Sequence, residues 1–230
     1  MKLTILIPAY NESLSIETIM REIKALDLSS CGITKREIIL IDDASTDGTV
    51  KKATSVIPET KVIYHSKNQG KGAALATGLP HTTGDIILIQ DADLEYRPSL
   101  YPALLRPMVE QNADIVYGSR FLGIKRPKDM KTPYYLANLF GTWLTNKLLK
   151  TSLTDSMTCF KLFKKEVLSG VKLKTKGFGA DAELTAKAVK KGFKITEVAI
   201  PYKARTFKEG KKYRPILSIF VLWSIIKYGI

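Results

Sequence analysis

Cysteine and histidine are scarce, at two residues each in a chain of 230. Cys31 and Cys159 lie far apart with no CxxC pair, and only His65 and His81 could join them as ligands. A disulfide scaffold is excluded, a zinc site is not supported, and a reducing compartment suits two ordinary thiols. Long apolar runs are missing too. The longest uncharged one, residues 216–226, falls short of the roughly 18 to 20 residues that cross a bilayer, so it can lie on a membrane but not span it. Residues 3–7 form an apolar run that Pro8 ends, which reads as a strand rather than as the core of a signal peptide, so a cytosolic chain is expected. Acidic residues are sparse in one half only. Residues 1–119 hold 12 basic and 15 acidic side chains, whereas 120–230 hold 24 basic and 7 acidic, net −3 against +17. Such an asymmetry points to an anionic partner that meets the second half: nucleic acid, a membrane surface or a phosphorylated substrate.

What is present is a globular composition, 45% hydrophobic, long enough for one large core. Short apolar runs alternate with amphipathic stretches. Strands are predicted at 3–7, 37–41, 61–64, 85–89 and 114–118, and helices at 14–26, 48–57, 71–79 and 99–111. The Ile and Leu runs are continuous rather than alternating. That pattern predicts strands buried on both faces, hence a mainly parallel α/β sheet covered by helices. In such a sheet ligands collect beyond the carboxyl ends of the strands. The loops there are PAYNE (8–12), DDASTDGT (42–49), SKNQGKG (66–72) and QDADLEY (90–96).

Each loop suggests its own chemistry. Asp91 and Asp93 flank the small Ala92 after a buried strand, so their carboxylates can converge on a hard cation, Mg2+ or Mn2+, with Glu95 or water as a further ligand. A solvated turn would look similar in isolation, and the pair gains weight from its place after DIILIQ. Asp42, at the end of its strand, is placed to accept hydrogen bonds from a base or ribose, while Ser45 or Asp47 reads as a helix cap. The loop with Lys67, Gly70, Lys71 and Gly72 enters an Ala-rich helix whose amides could meet anionic oxygens. It is not a Walker loop, and no GxGxxG follows the first strand, which argues against a dinucleotide enzyme.

Taken in order, PAYNE, IDDASTDGT, NQGKGAAL and DADLEY resemble the nucleotide-binding half of the family 2 glycosyltransferases, with their GT-A fold. GSRF (118–121), TDSMTCFKLFKKEVL (154–168), GFGADAEL (177–184) and ARTFKEGKK (204–212) are similar to the second half of the branch that makes polyprenyl-phosphate sugars, including the dolichol-phosphate mannose and glucose synthases. The resemblance implies one GT-A domain over residues 1–230, with a nucleotide-sugar half (1–119) and a basic acceptor half (120–230). It implies that Pro8, Ala9, Tyr10, Glu12 and Asp42 hold the nucleoside, with Lys71 and Ala92 at the same site. Asp91, Asp93 and Glu95 would organise the metal and diphosphate, Arg120 would face the phosphates, and Arg205 and Lys211 would close over the diphosphate. The branch carries another arginine soon after GSR, and here that stretch reads KTPYYLAN, with Arg126 or Lys131 as substitutes.

The implied reaction is a metal-dependent, inverting transfer from a UDP- or GDP-sugar to a polyprenyl or dolichyl phosphate. A hydroxyl acceptor would instead need a carboxylate base, for which Asp181 or Glu183 is the candidate, although either would also suit a helix start. Leu136, Leu139, Phe140, Trp143, Leu144 and Leu148, and then Phe220, Leu222 and Trp223, recur at helical spacing beside lysines. These stretches predict either peripheral contact with an anionic membrane or packing against the sheet or a second subunit. A nucleic-acid-binding module would explain the basic half but not the acidic strand ends, so no nucleic acid partner is expected. An inactive nucleotide-binding protein is the other alternative. Arg120 and Arg205, lying in motifs rather than apolar runs, are expected to serve transfer more than folding.

Overall fold

The computed structural model describes residues 1–124, 126–127, 129–205 and 217–230. Its strands are β1 (Lys2–Ala9), β2 (Lys35–Asp42), β3 (Lys61–Tyr64), β4 (Ile86–Ile89), β5 (Ile115–Ser119), β6 (Lys161–Lys164) and β7 (Ile195–Ala199). The helices are α1 (Ile16–Ala25), α2 (Thr49–Val56), α3 (Lys71–Gly78), α4 (Tyr101–Glu110), α5 (Thr132–Leu149), α6 (Lys165–Leu168), α7 (Ala180–Lys190) and α8 (Ser218–Gly229). The seven strands form one sheet in the order β3-β2-β1-β4-β6-β5-β7. β6 runs antiparallel to both β4 and β5, and the other neighbouring pairs are parallel.

The Ile and Leu runs are explained by burial on both faces. Side chains alternate along a strand, so Ile5 and Ile7 of β1 join Leu40 and Leu88 in a core under Ile16, Ile19 and Met20 of α1. Leu6, Ile39 and Ile89 point the other way, under Leu75 of α3 and Leu184 of α7. The chain steps outward from β1 to β2 and β3, then returns to place β4 on the other side of β1. That reversal leaves a crevice above the carboxyl ends of β1 and β4, where the loops of PAYNE and DADLEY meet.

Two close approaches build the walls of this crevice. A Cβ on Gly72 of α3 would stand 2.1 Å from the Thr175 carbonyl oxygen and 2.6 Å from Ala180 Cβ. Gly72→Ala must therefore push α3 and α7 apart. Overpacking of this kind costs about 1–3 kcal/mol, and a melting temperature lowered by several degrees in a thermal scan is the expected outcome. On the other wall, α8 packs against α7 through Val221, Ile225 and Ala182, joined by Leu144 and Leu148 of α5.

The outer faces of α5 and α8 remain uncovered. Leu136, Phe140, Trp143, Phe220 and Trp223 are exposed, the two tryptophans by 53% and 56%. Lys147 lies over the Trp143 ring and Lys227 over the Trp223 ring. The two helical stretches thus divide: Leu144, Leu148 and Leu222 pack inward, and the aromatics face out. Among the described residues, no helix is long and apolar enough to cross a membrane.

Candidate active site

A cavity of about 740 Å³ opens above the carboxyl ends of β1 and β4. Pro8, Ala9, Tyr10, Glu12, Lys71, Asp91, Ala92, Asp93, Glu95, Arg120, Asp181 and Arg205 all line it, so most of the residues singled out in the sequence share one space. Lys211 lies outside the described residues. Asp42 is buried and faces the Ser45 N–H at 3.3 Å rather than the cavity, and the wall is formed by its neighbour Asp43.

The acidic loop after β4 is held from below. Gln90 is fully buried, donates from Nε2 to the carbonyls of Asp91 and Tyr96 at 2.8 and 2.9 Å, and accepts the Tyr101 hydroxyl at 2.9 Å. Asp93 Oδ1 accepts the Glu95 N–H at 2.9 Å, and the Ala92 carbonyl accepts Ser15 Oγ at 2.8 Å. The loop is therefore set before any ligand arrives. Gln90 escaped the sequence reading, although a lone amide ending an Ile-rich strand marks a buried polar clamp.

Asp43 performs a similar task for the glycine loop. Its carboxylate accepts the N–H groups of Gln69 and Gly70 at 2.8 and 2.7 Å, and His65 Nδ1 lies 2.7 Å from Oδ1. His65 Nε2 is 2.9 Å from Thr77 Oγ1. This buried pair fixes the turn that presents Lys71. Sequence reasoning assigned the loop's amides to anionic oxygens, but here two of them are already committed to Asp43.

Lys71 extends a chain of alternating charges across the floor. Its Nζ lies 2.6 Å from Asp91 Oδ1 and 3.4 Å from Asp181 Oδ2, and Lys161 Nζ lies 3.9 Å from Asp181 Oδ1. Burial alone would lower the Lys71 pKa, but Asp181 and Asp91 outweigh it and hold the ammonium charged well above its usual range. For Lys161, fully buried over the Tyr117 ring, burial wins and the pKa is lowered. Glu183 is turned away from the cavity. It accepts the N–H groups of Lys174 and Thr175 at 2.9 and 2.7 Å and pairs with Lys187, which ties the GFGADAEL segment to the loop before it.

At the mouth, Arg205 bridges two acids, with Nη2 2.8 Å from Asp93 Oδ2 and Nη1 3.0 Å from Glu12 Oε2. Glu95 accepts the Arg205 N–H and the Tyr202 hydroxyl, each at 2.8 Å. Asp91, Asp93 and Glu95 consequently do not stand together as a preassembled ligand trio, and no group of three His, Cys, Asp or Glu side chains among the described residues does. The donor set nevertheless fits Mg2+ or Mn2+. Its ligands are hard carboxylate oxygens, and burial followed by the charge of Asp91 pushes the Asp93 carboxyl up to about 7 even with Arg205 beside it. The neighbouring charges of Asp91 and Glu95 oppose the ionised form of Asp93, which a bound cation would favour.

Arg120 differs from the sequence expectation. It is only 6% exposed, and its Nε and Nη2 donate to the two oxygens of the fully buried Asp155 at 2.6 and 2.8 Å. Nη2 also reaches Asn138 Oδ1 at 2.7 Å, and the guanidinium lies over the rings of Phe121 and Tyr202. It is a member of the core as well as of the cavity wall, which corrects the view that it serves transfer more than folding. Of the two proposed substitutes for the missing arginine, Lys131 lines the cavity, whereas Arg126 turns to the Met130 carbonyl and the Tyr135 ring.

A doubly wound sheet with an acidic loop after β4, a clamped glycine loop and arginines over the crevice defines a nucleotide-sugar fold of GT-A type. The sequence profile of glycosyl transferase family 2 matches residues 4–171. This chain belongs to that family. It is 31% identical over 219 residues to a dolichol-phosphate mannosyltransferase of Pyrococcus furiosus, covering 92% of this chain but 59% of that protein's length. It is 24% identical over 239 residues to an undecaprenyl-phosphate mannosyltransferase of Micrococcus luteus, covering 100% of this chain and 95% of the relative. Among solved structures, glucosyl-3-phosphoglycerate synthase of Mycobacterium tuberculosis, crystallised with Mn2+, UDP and glucosyl-3-phosphoglycerate, superposes with a TM-score of 0.73. That match has 18% identity and covers 99% of this chain and 79% of the other, so it bears on the fold.

Proposed function

We propose that this protein transfers a sugar from a UDP- or GDP-sugar to a polyprenyl phosphate at the cytosolic face of an anionic membrane, with residues 1–119 serving the donor and 120–230 the acceptor. The observation that carries the acceptor is the state of the two candidate bases. Asp181 is held between Lys71 and Lys161, and Glu183 is committed to two backbone amides and Lys187. A hydroxyl would need one of them to take its proton. A phosphate is already ionised near neutral pH and needs neither. The names of the two curated relatives support the same choice.

In this reading Pro8, Ala9, Tyr10 and Asp43 hold the nucleoside. Asp93, aided by Asp91 and Glu95, would hold Mg2+ or Mn2+, which when bound supplies positive charge for the departing diphosphate. Arg120 faces the acceptor phosphate. An acceptor oxygen attacks the anomeric carbon, the bond to the diphosphate breaks on the opposite side, and configuration inverts. The far side of the cavity suits the first units of a lipid tail, being lined by Met157, Phe178 and Val221.

The exposed α5–α8 face and its lysines give the membrane contact a physical basis, since each basic residue near an anionic surface adds roughly 1 kcal/mol that fades with salt. Sedimentation with phosphatidylglycerol vesicles should retain the protein at low salt and release it at high salt. Replacing Trp143 and Trp223 together by Ala should weaken that binding severalfold. Failure to bind at low salt, together with transfer to a soluble glycan, would point to a hydroxyl acceptor instead.

A further inference from the structure

We infer that Arg205 is an internal stand-in for the divalent cation: it holds Asp93 and Glu12 in the metal-free protein and moves to the diphosphate when metal and nucleotide bind. The inference rests on the donor reading above and concerns how that site is filled.

Three observations lead to it. The guanidinium, Asp93 and Glu12 are all largely withdrawn from water, with side chains 12%, 15% and 11% exposed, so both acids need a positive neighbour. Arg205 is one such neighbour, and it occupies Oδ2 of the carboxylate that the donor reading assigns to the metal. A metal on Asp93 with the guanidinium still in place would set a double positive charge beside a single one. The two cations therefore compete for the same oxygens.

The backbone anchoring shows what can move. Glu95 fixes the Arg205 N–H and, through Tyr202, the chain three residues earlier. The guanidinium can leave Asp93 by side-chain rotation while this attachment persists. A diphosphate in the crevice offers it new acceptor oxygens in a forked geometry that arginine suits and lysine does not. Metal alone must break the Arg205–Asp93 pair with nothing to replace it, whereas metal with diphosphate offers the guanidinium new acceptor oxygens in exchange. Arg205 thereby makes each of the two ligands favour the other, a coupling that by thermodynamic linkage is reciprocal.

Calorimetry with Mn2+, UDP and GDP tests this without any turnover. In the intact protein Mn2+ alone should bind weakly and the productive nucleotide should tighten it strongly. Arg205→Met should bind Mn2+ alone at least about fivefold tighter while losing at least about fivefold of the nucleotide's tightening effect, within the usual range of such couplings. Lys203→Met removes an equal charge from the cavity wall without freeing Asp93 and serves as the control for general electrostatics. Arg205→Lys should fall between, because it keeps the charge and loses the fork. Melting curves of each variant establish that the fold is retained. If Arg205→Met binds Mn2+ no tighter than Lys203→Met, or keeps the full coupling, the exchange is wrong even though the donor site stands. If neither UDP nor GDP binds the intact protein with Mn2+, the donor reading fails and the exchange fails with it.

Discussion

Arg120→Ala should lower the melting temperature by roughly 10 °C as well as abolish transfer. Asp155 is fully buried and has both oxygens on the Arg120 guanidinium. Removing the arginine leaves a carboxylate in the interior with only the Arg120 backbone N–H and neighbouring groups to face it. Breaking a buried pair from one side costs about 3–5 kcal/mol, and a chain of this size loses about 2–4 °C per kcal/mol. The rings of Phe121 and Tyr202 lose their cation at the same time. Arg120→Lys separates the two roles: it keeps a charge near Asp155 but cannot reproduce the two-pronged contact, so the melting temperature should recover in part while transfer stays low. An Arg120→Ala protein with unchanged melting would mean that the Arg120–Asp155 pair does not support the fold.

Asp93→Asn is expected to reduce sugar transfer by at least about a hundredfold, the scale seen when charge stabilisation of a leaving group is removed. The substitution is nearly isosteric, and the amide oxygen can still accept the Glu95 N–H that Asp93 Oδ1 accepts now. What is lost is a negative charge that would help to hold the cation and that now pairs with Arg205. Binding of Mn2+, followed by calorimetry, should fall in parallel with transfer. Normal turnover by a folded Asp93→Asn protein would remove Asp93 from the metal site and with it the assignment of the acidic loop.

The central strands were legible because β4 and the inner stretches of β1 and β2 are covered on both sides and carry continuous Ile and Leu runs there. β6 and β7 were not, for reasons the structure makes plain. KLFK begins with Lys161, which no apolar pattern would place in a core, and it is buried only because Asp181, Thr185 and the Tyr117 ring receive it. ITEVA is only half-buried and sets Thr196 and Glu197 among its apolar residues, so no continuous apolar run marks it. At the site, the loops could be found from their position after buried strands, but not which side chain faces the cavity. Asp42 and Asp43 differ by one step along the backbone, and consecutive side chains point to opposite sides, so it is Asp43 and not Asp42 that lines the cavity. Pairings between distant segments were equally out of reach: Arg120 with Asp155, Lys71 with Asp181, and Arg205 with Glu12 are brought together only by the sheet order. The apolar spacing of α5 and α8 announced burial without saying against what, and the structure answers by splitting each helix between an inner and an outer face.

One assay tests metal-dependent transfer to a lipid phosphate most directly. The purified protein is incubated with undecaprenyl phosphate in anionic vesicles, with radiolabelled UDP-glucose or GDP-mannose, and with or without Mn2+, and label is counted in the lipid phase. Label from one of the donors should enter the lipid only when the metal is present and disappear on chelation. Lipid labelling that persists undiminished in chelator, or label that passes to a soluble hydroxyl acceptor and never to the lipid phosphate, would contradict it.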